Sequence, residues 1–292
     1  MTLVAAPSNP FARTTRVVRR SGSSLARSIS QVGDFVLFSA AAIGALVTEL
    51  LLRRRFAKEV ARQISDVVSG AGAFVVGGGM VFVVGAMSLA TGGTVGIQAY
   101  EGLGTIGAES LTGIVTSLGN VREITPVIAG IALAAQVGSS FTAELGAKRI
   151  SDEIDALSVM SIPPVAYLVS TRILAALIAI VPLYLVSLFA SFLASEVVTV
   201  HVLGLSEGVY DYYFNLFLPP IDLLYSLIKA TVFAVLVVLI HCWYGYRAQG
   251  GPADVGVAVG RAIRTSMMTI VVVNLLLSFL FWGTTTTASL TG

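Results

Sequence analysis

The chain has 292 residues, of which 55% are hydrophobic and only 12% charged, with 18 Lys and Arg against 16 Asp and Glu. Soluble domains carry about 25% charged residues, so a globule of this size could not be covered in polar side chains, and apolar surface turned to lipid is the simpler account. A single cysteine, Cys242, excludes an internal disulfide and a multi-cysteine metal site, and its apolar run reads as burial of a small hydrophobe.

Residues 1–33 are rich in Ser and Arg (Arg13, Arg16, Arg19, Arg20, Arg27), and the apolar run from Phe35 to Leu52 ends on Arg53, Arg54 and Arg55. A cleaved leader needs small residues after its apolar core rather than arginines. Basic flanks at both ends argue against a full crossing, because each attracts the cytoplasmic side. Asp34 and Glu49 add to the cost. Residues 24–52 are therefore expected to form an interfacial or re-entrant helix, within a cytoplasmic basic segment covering 1–62.

Five longer apolar stretches follow, at about 67–97, 103–147, 165–194, 221–244 and 263–282. About 20 helical residues cross the hydrocarbon. The second stretch is far longer, so it must tilt, break or extend into water, and Pro126 with its neighbouring glycines offers places to break. Small residues at helix-packing spacing (Gly130, Ala134 and Gly138 in the second stretch, Gly77 and Gly85 in the first) allow close helix approach in lipid.

Lys and Arg set the orientation. With the N-terminus inside, the cytoplasmic segments hold Arg53 to Arg62, Lys148, Arg149, Arg247 and Arg261, whereas the opposite loops hold Glu101, Glu109, Glu196, Glu207 and Asp211 without a single Lys or Arg. The tail 284–292 then falls outside. The external loop 195–220 also carries Tyr210, Tyr212, Tyr213, Phe214 and Phe217, which suit the headgroup zone or a partner.

No catalytic machinery is visible. The three lysines (Lys58, Lys148, Lys229) do not follow glycine, so there is no phosphate-binding P-loop. Residues 102–107 match GxGxxG without a preceding strand, a context that favours a loosened turn over a dinucleotide site. His201 and His241 lie in different segments and suggest no metal site. Intramembrane charge is more telling. Arg122 and Glu123 interrupt the second stretch and Lys229 lies in the fourth. Sequence neighbours point about 100° apart on a helix, so Arg122 and Glu123 need not pair. Either Glu123 meets Lys229 in a structural charge network, or these residues form part of a substrate path or proton relay.

The segment 144–160 (ELGAKRISDEIDALSVM) is stopped by Pro163 and Pro164. Ile150, Ile154 and Leu157 make one apolar stripe, with Lys148–Asp152 and Arg149–Glu153 as possible i, i+4 pairs. Two readings stand: a solvated juxtamembrane helix, or a docking helix offering Asp152, Glu153 and Asp155 to a cytoplasmic partner while its stripe fills a groove.

These residues carry a resemblance. Thr142-Ala143-Glu144-Leu145-Gly146, then Arg149 and residues 151–157 (SDEIDAL), are similar to the signature of the MlaE/YrbE permeases. Residues 121–127 (VREITPV) resemble that family's LRELGPV element, and Leu227-Ile228-Lys229-Ala230 with Tyr244-Gly245-Tyr246 fit its fourth span and the following turn. The match is ungapped over 120–165 and recognisable over 60–283. The resemblance implies an all-α polytopic permease with an N-terminal interfacial helix and five spans over 63–283. It also implies a pair of permease subunits, a separate cytoplasmic ABC ATPase dimer that uses the ATP, Mce-domain proteins outside, and a lipid substrate (fatty acid, mycolic-type lipid or sterol), with no nucleic acid and no cofactor bound by this chain. The family's coupling helix maps onto 148–160, giving Lys148, Arg149, Asp152, Glu153, Asp155 and Leu157 as ATPase-coupling residues. Gln136 resembles the YrbE copies of Mce systems, since MlaE has an arginine there. Asp152 stands where the family usually has Glu, and Pro163 replaces a common Asp, so coupling through this copy is expected to be weaker.

The expectation is a non-catalytic subunit of an ATP-driven lipid importer in the plasma (inner) membrane, N-terminus inside and C-terminus outside. The rival is a proton-coupled secondary transporter working through Glu123 and Lys229. A membrane-embedded enzyme would need clustered acids, histidines or a nucleophile–base pair, which the sequence does not display.

Overall fold

The computed structural model describes residues 30–52, 56–69 and 79–283, and among them every regular element is helical. We number the helices α1 (residues 30–52, closing on the π turn Leu46–Leu52), α2 (Ala57–Ser69), α3 (Gly79–Gly104), α4 (Glu109–Ile150), α5 (Glu153–Val159), α6 (Ala166–Val202), α7 (Glu207–Leu216), α8 (Pro220–Tyr246) and α9 (Pro252–Trp282). Six of these (α1, α3, α4, α6, α8 and α9) are long and apolar enough to cross a membrane.

The described part of the first span runs from Gly79 to Gly104, and Val67 lies on the helix before it; residues 70–78 lie outside the described residues. The preceding α2 is amphipathic, burying Val60, Gln63 and Val67 against α3 and α6 while its charged face stays outside. Gly77 lies outside the described residues. At its far end α3 stops at Gly104, and the GxGxxG glycines serve a turn in which Gly107 takes φ 69°, a left-handed value that glycine adopts without penalty.

α6 is the spine. It packs along α3 on one side and α8 on the other, and α8 also contacts α4 and α9. The α3–α6 seam is polar and very close. Ser88 and Ser187 share a hydrogen bond at 2.7 Å, and a methyl group on Gly92 would sit 2.3 Å from the Ser191 carbonyl oxygen. Such small-residue contact lets backbones approach where water gives no hydrophobic drive.

The 42-residue α4 does not break at Pro126. It changes pitch instead, through π turns at Asn120–Ile124 and Ala134–Gly138. Its first turns, at Thr112–Gly119, pack on α7. The helix does end before the charged segment expected to continue it: Asp152 adopts φ 58°, a left-handed conformation that Asp tolerates better than most residues, and α5 starts afresh at Glu153. Within 195–220, α6 runs on to Val202, and the short helix α7 carries Tyr210, Tyr212, Tyr213 and Phe214.

At the end of the bundle holding Lys148 and Arg247, α1 lies against α6 and α8. Phe35 and Phe38 meet the Trp243 ring edge-on at 5.7 and 5.2 Å, Ser170 Oγ donates to the Ala42 carbonyl at 2.8 Å, and Arg247 bonds Asp34 at 3.3 Å. The outward faces of α1 and α9 carry most of the exposed apolar side chains of these two helices, including Leu275, Leu276 and Phe279.

Candidate functional site

Pro126 has no backbone N–H, so the carbonyl four residues before it, on Arg122, loses its α-helical donor. Within the π turn Asn120–Ile124 the carbonyl five residues before, on Val121, is left without one too. Helix α8 supplies both missing donors. Ser226 Oγ bonds Val121 O and Lys229 Nζ bonds Arg122 O, each at 2.5 Å. The π-turn stretch of α4 is thereby locked to α8, and a buried ammonium is fixed beside it.

Around that ammonium the charges balance. Lys229 Nζ also donates to Ser278 Oγ at 2.7 Å and stands 3.4 Å from Glu123 Oε1. Glu123 accepts from Ser278 at 2.6 Å and from Asn274 at 2.5 Å. Arg122 donates through Nε (2.8 Å) and Nη2 (2.7 Å) to Asp222 Oδ2, whose other oxygen accepts from Trp282 Nε1 at 2.9 Å. The Trp282 ring faces both cations, with Arg122 at 5.1 Å and Lys229 at 5.4 Å from its centroid. Two acids and two bases at one depth avoid the cost of an isolated charge in low dielectric. Asp222 and Lys229 are fully buried, whereas the Glu123 side chain is 45% exposed. The cluster therefore presents one hydrogen-bonding carboxylate outward between α4 and α9.

Further along α4, toward the Lys148 end, the helices are held by a second polar layer. Thr142 Oγ1 meets His241 Nδ1 at 2.8 Å, and His241 Nε2 meets Ser266 Oγ at 3.2 Å. Gly138 makes this possible, since a Cβ there would lie 2.6 Å from the imidazole. Beyond it, Glu144 bonds Lys148 at 2.8 Å and Arg172 at 2.6 Å, and the buried Arg172 lies 5.0 Å from the Phe141 ring centroid.

α5 hangs from this end. Ile154 is buried and Leu157 packs against the core, so the stripe expected to fill a partner's groove fills this chain's own core. The i, i+4 pairs expected for Lys148 and Arg149 do not form, because the helix breaks between their partners. Lys148 pairs with Glu144, and Arg149 reaches across the break to Asp155 at 2.9 Å. Asp152, Glu153 and Asp155 are exposed, beside Val159 and Met160, which expose 86% and 60% of their surface.

The fold thus joins Arg122, Glu123 and Lys229 in one cluster and sets Lys148, Arg149, Asp152, Glu153, Asp155 and Leu157 at the opposite end. Gln136 belongs to neither. It sits exposed in the π turn Ala134–Gly138, about 20 Å along the helix from Glu123. Asp222, Asn274, Ser278, Trp282 and Arg172 were not anticipated. The rule that singles out Arg122 and Lys229 applies equally to Asp222 and Arg172, charges inside apolar stretches. Asn274, Ser278 and Trp282 recur at i, i+4 and i+8 on one face of α9.

Residues 70–280 match the family model described as "Permease MlaE". A probable ABC transporter permease protein of Rickettsia felis is 31% identical over 251 residues, covering 86% of this chain and 92% of its own length. A probable ABC transporter permease protein of Synechocystis is 33% identical over 208 residues, 70% of this chain and 79% of that one. The chloroplastic protein TRIGALACTOSYLDIACYLGLYCEROL 1 of Arabidopsis thaliana is 30% identical over 186 residues, 64% of this chain and 53% of that protein. The chain is a multi-pass membrane protein that belongs to the MlaE permease family of ABC transporters.

Proposed function

We propose that this chain is the membrane subunit of an ATP-driven, Mce-type lipid importer, paired with a second permease subunit and powered by a separate ATPase dimer. The observation that carries the reading is the Glu123 cluster. A charge-balanced polar group opens through one carboxylate into an otherwise apolar wall, and on α9 that wall continues as Val271, Val272, Leu275, Leu276 and Phe279. A lipid has the same division. Its polar head is suited to Glu123, Asn274 and Ser278, and its chains to the apolar face. The name of the Arabidopsis relative contains a galactolipid, in keeping with a lipid substrate.

In this reading the Lys148 end is cytoplasmic, the Trp282 end and residues 284–292 are external, and α1 lies along the inner interface. The basic residues at one end and acidic loops at the other favour that orientation. The ATPase pushes on the exposed acids of α5. Ile154 and the Arg149–Asp155 pair tie α5 to α4, and α4 runs unbroken to Glu123. The two π turns are where this helix changes pitch, and π turns inside α-helices occur frequently at functional sites. A push on α5 thus reaches the cluster and opens or closes the cavity shared with the second permease. Lipid leaves or arrives through Mce-domain proteins on the external side. No step of ATP chemistry falls to this chain.

Replacing Asp152, Glu153 and Asp155 together with Ala tests the coupling. The variant should keep its fold and helicity yet release the ATPase on purification and lose ATP-dependent lipid uptake. Continued ATPase retention with full uptake would remove the coupling assignment. Uptake that survives ATP depletion but collapses with a protonophore would instead support a proton relay through Glu123 and Lys229.

A further inference from the structure

A cavity of about 760 Å³ lies between α1, α8 and α9 at the Lys148 end, remote from the Glu123 cluster. Its two ends differ in chemistry. Arg247 lines it at the α8–α9 turn and Arg261 lines it nine residues into α9, with its Cα–Cβ bond tilted back toward that turn, while Leu236, Ile240 and Phe35 line its walls. Along α8 the lining runs from Leu236 to Arg247, about 16 Å of helix, roughly half the ~30 Å hydrocarbon and so the depth of one leaflet. A cationic rim over an apolar trough one leaflet deep has the form of a single lipid.

The charges can be assigned. Arg261 is exposed and makes no ion pair or side-chain hydrogen bond among the described residues, so its guanidinium has five donors uncommitted. Arg247 stacks 4.5 Å from the Trp243 ring centroid and holds Asp34 at 3.3 Å, an exposed pair that a competing anion can displace at little cost. The carboxylate of Asp254 also lines the cavity, but it caps the start of α9 by accepting from Gly251 N at 3.0 Å. Trp243 and Tyr244, the latter bonded to Thr265 at 3.1 Å, supply the amphipathic rings found at headgroup depth.

We propose that this cavity binds one anionic phospholipid, its phosphate on Arg261 and Arg247 and an acyl chain along Ile240 and Leu236. The occupant is the lipid of the surrounding leaflet rather than the cargo. Guanidinium pairs bind phosphate in bidentate fashion, and the apolar walls distinguish a lipid from a free phosphate ion. Bound there, the lipid bridges α1 to α8 and α9. The inference is independent of cargo identity, ATP coupling and membrane orientation.

Tryptophan quenching tests it, because the chain has two tryptophans and one of them, Trp243, lines the cavity. The full chain alone, carrying Trp282→Phe, is placed in nanodiscs of tryptophan-free scaffold containing brominated phosphatidylglycerol or brominated phosphatidylcholine. Trp243 should be quenched at a severalfold lower mole fraction by the anionic lipid. The preference should vanish in Arg247→Gln/Arg261→Gln and survive in Arg261→Lys. Equal quenching by the two headgroups, or a preference that persists in the double variant, overturns the proposal. Competition by inorganic phosphate as strong as that by the lipid would also overturn it, by removing the role of the apolar walls. Should Trp282→Phe not fold, native mass spectrometry of the unmodified chain, counting retained phosphatidylglycerol against the double variant, reads the same outcome. Nanodiscs expose both faces, so an inverted topology leaves this result unchanged and appears only in sidedness assays.

Discussion

Replacing Lys229 with Met isolates the most specific contact in the bundle. The substitution keeps the volume but removes donors to the Arg122 carbonyl, Ser278 and Glu123. The pair with half-exposed Glu123, at 3.4 Å, contributes least, about 0–1 kcal/mol after solvent screening. The Arg122 carbonyl dominates, because Pro126 cannot serve it from within the helix, and an orphaned buried acceptor costs about 1–3 kcal/mol. The total expected loss is about 2–4 kcal/mol, read by denaturant titration in mixed micelles. A second substitution, Pro126→Ala, returns a backbone N–H to the helix. In that background Lys229→Met should cost about 1–2 kcal/mol less, a coupling well above the error of a double-mutant cycle. Coupling near zero would refute the argument that Lys229 substitutes for the proline's missing donor.

Gly92→Ala drives a methyl to 2.3 Å from the Ser191 carbonyl and should destabilise by more than about 2 kcal/mol, whereas Gly85→Ala, whose nearest neighbour is Val186 Cγ1 at 3.8 Å, should change stability by less than about 0.5 kcal/mol. Thermal aggregation midpoints of the two variants rank them. Asp155→Asn breaks an exposed pair with Arg149 and should leave stability within about 1 kcal/mol of the parent while lowering ATP-dependent uptake, a split read by comparing melting with transport. Burial raises the Tyr210 phenol above its ordinary 10.0, in part offset by its bond to Thr116 at 3.1 Å. Its contribution to docking α7 is therefore complete below about pH 10 and lost as pH rises further. Ultraviolet absorbance should show a late-titrating tyrosine that Tyr210→Phe removes.

The spans could be read from hydropathy because lipid imposes one dominant constraint, a run of about 20 apolar residues. Charge placement was equally informative where a single residue broke such a run, and Glu123 does face Lys229. Arg122 turns away from its neighbour Glu123 to Asp222, as the 100° helical step requires. What stayed hidden depends on backbone detail. The left-handed Asp152 leaves no mark in an i, i+4 charge pattern that reads as continuous helix, and that break alone redirects Arg149 to Asp155. The stripe through Ile154 is amphipathic whether it faces a partner or its own core, and periodicity does not choose between them. The α3–α6 seam escaped notice because its serines, Ser187, Ser191 and Ser195, look like polar interruptions until their partners Ser88, Gly92 and Gly96 are opposite them.

Proximity cross-linking at the tip of α5 bears most directly on force transmission. With the buried Cys242 replaced by Ser, Met160→Cys places one thiol on the exposed surface beside the acids, and Tyr212→Cys places one on α7 at the other end. Force transmission through α5 requires that Met160→Cys form an adduct with the co-purified ATPase whose yield changes with bound nucleotide, and that Tyr212→Cys form none. An adduct from Tyr212→Cys alone, or a yield at Met160→Cys indifferent to nucleotide, would contradict it.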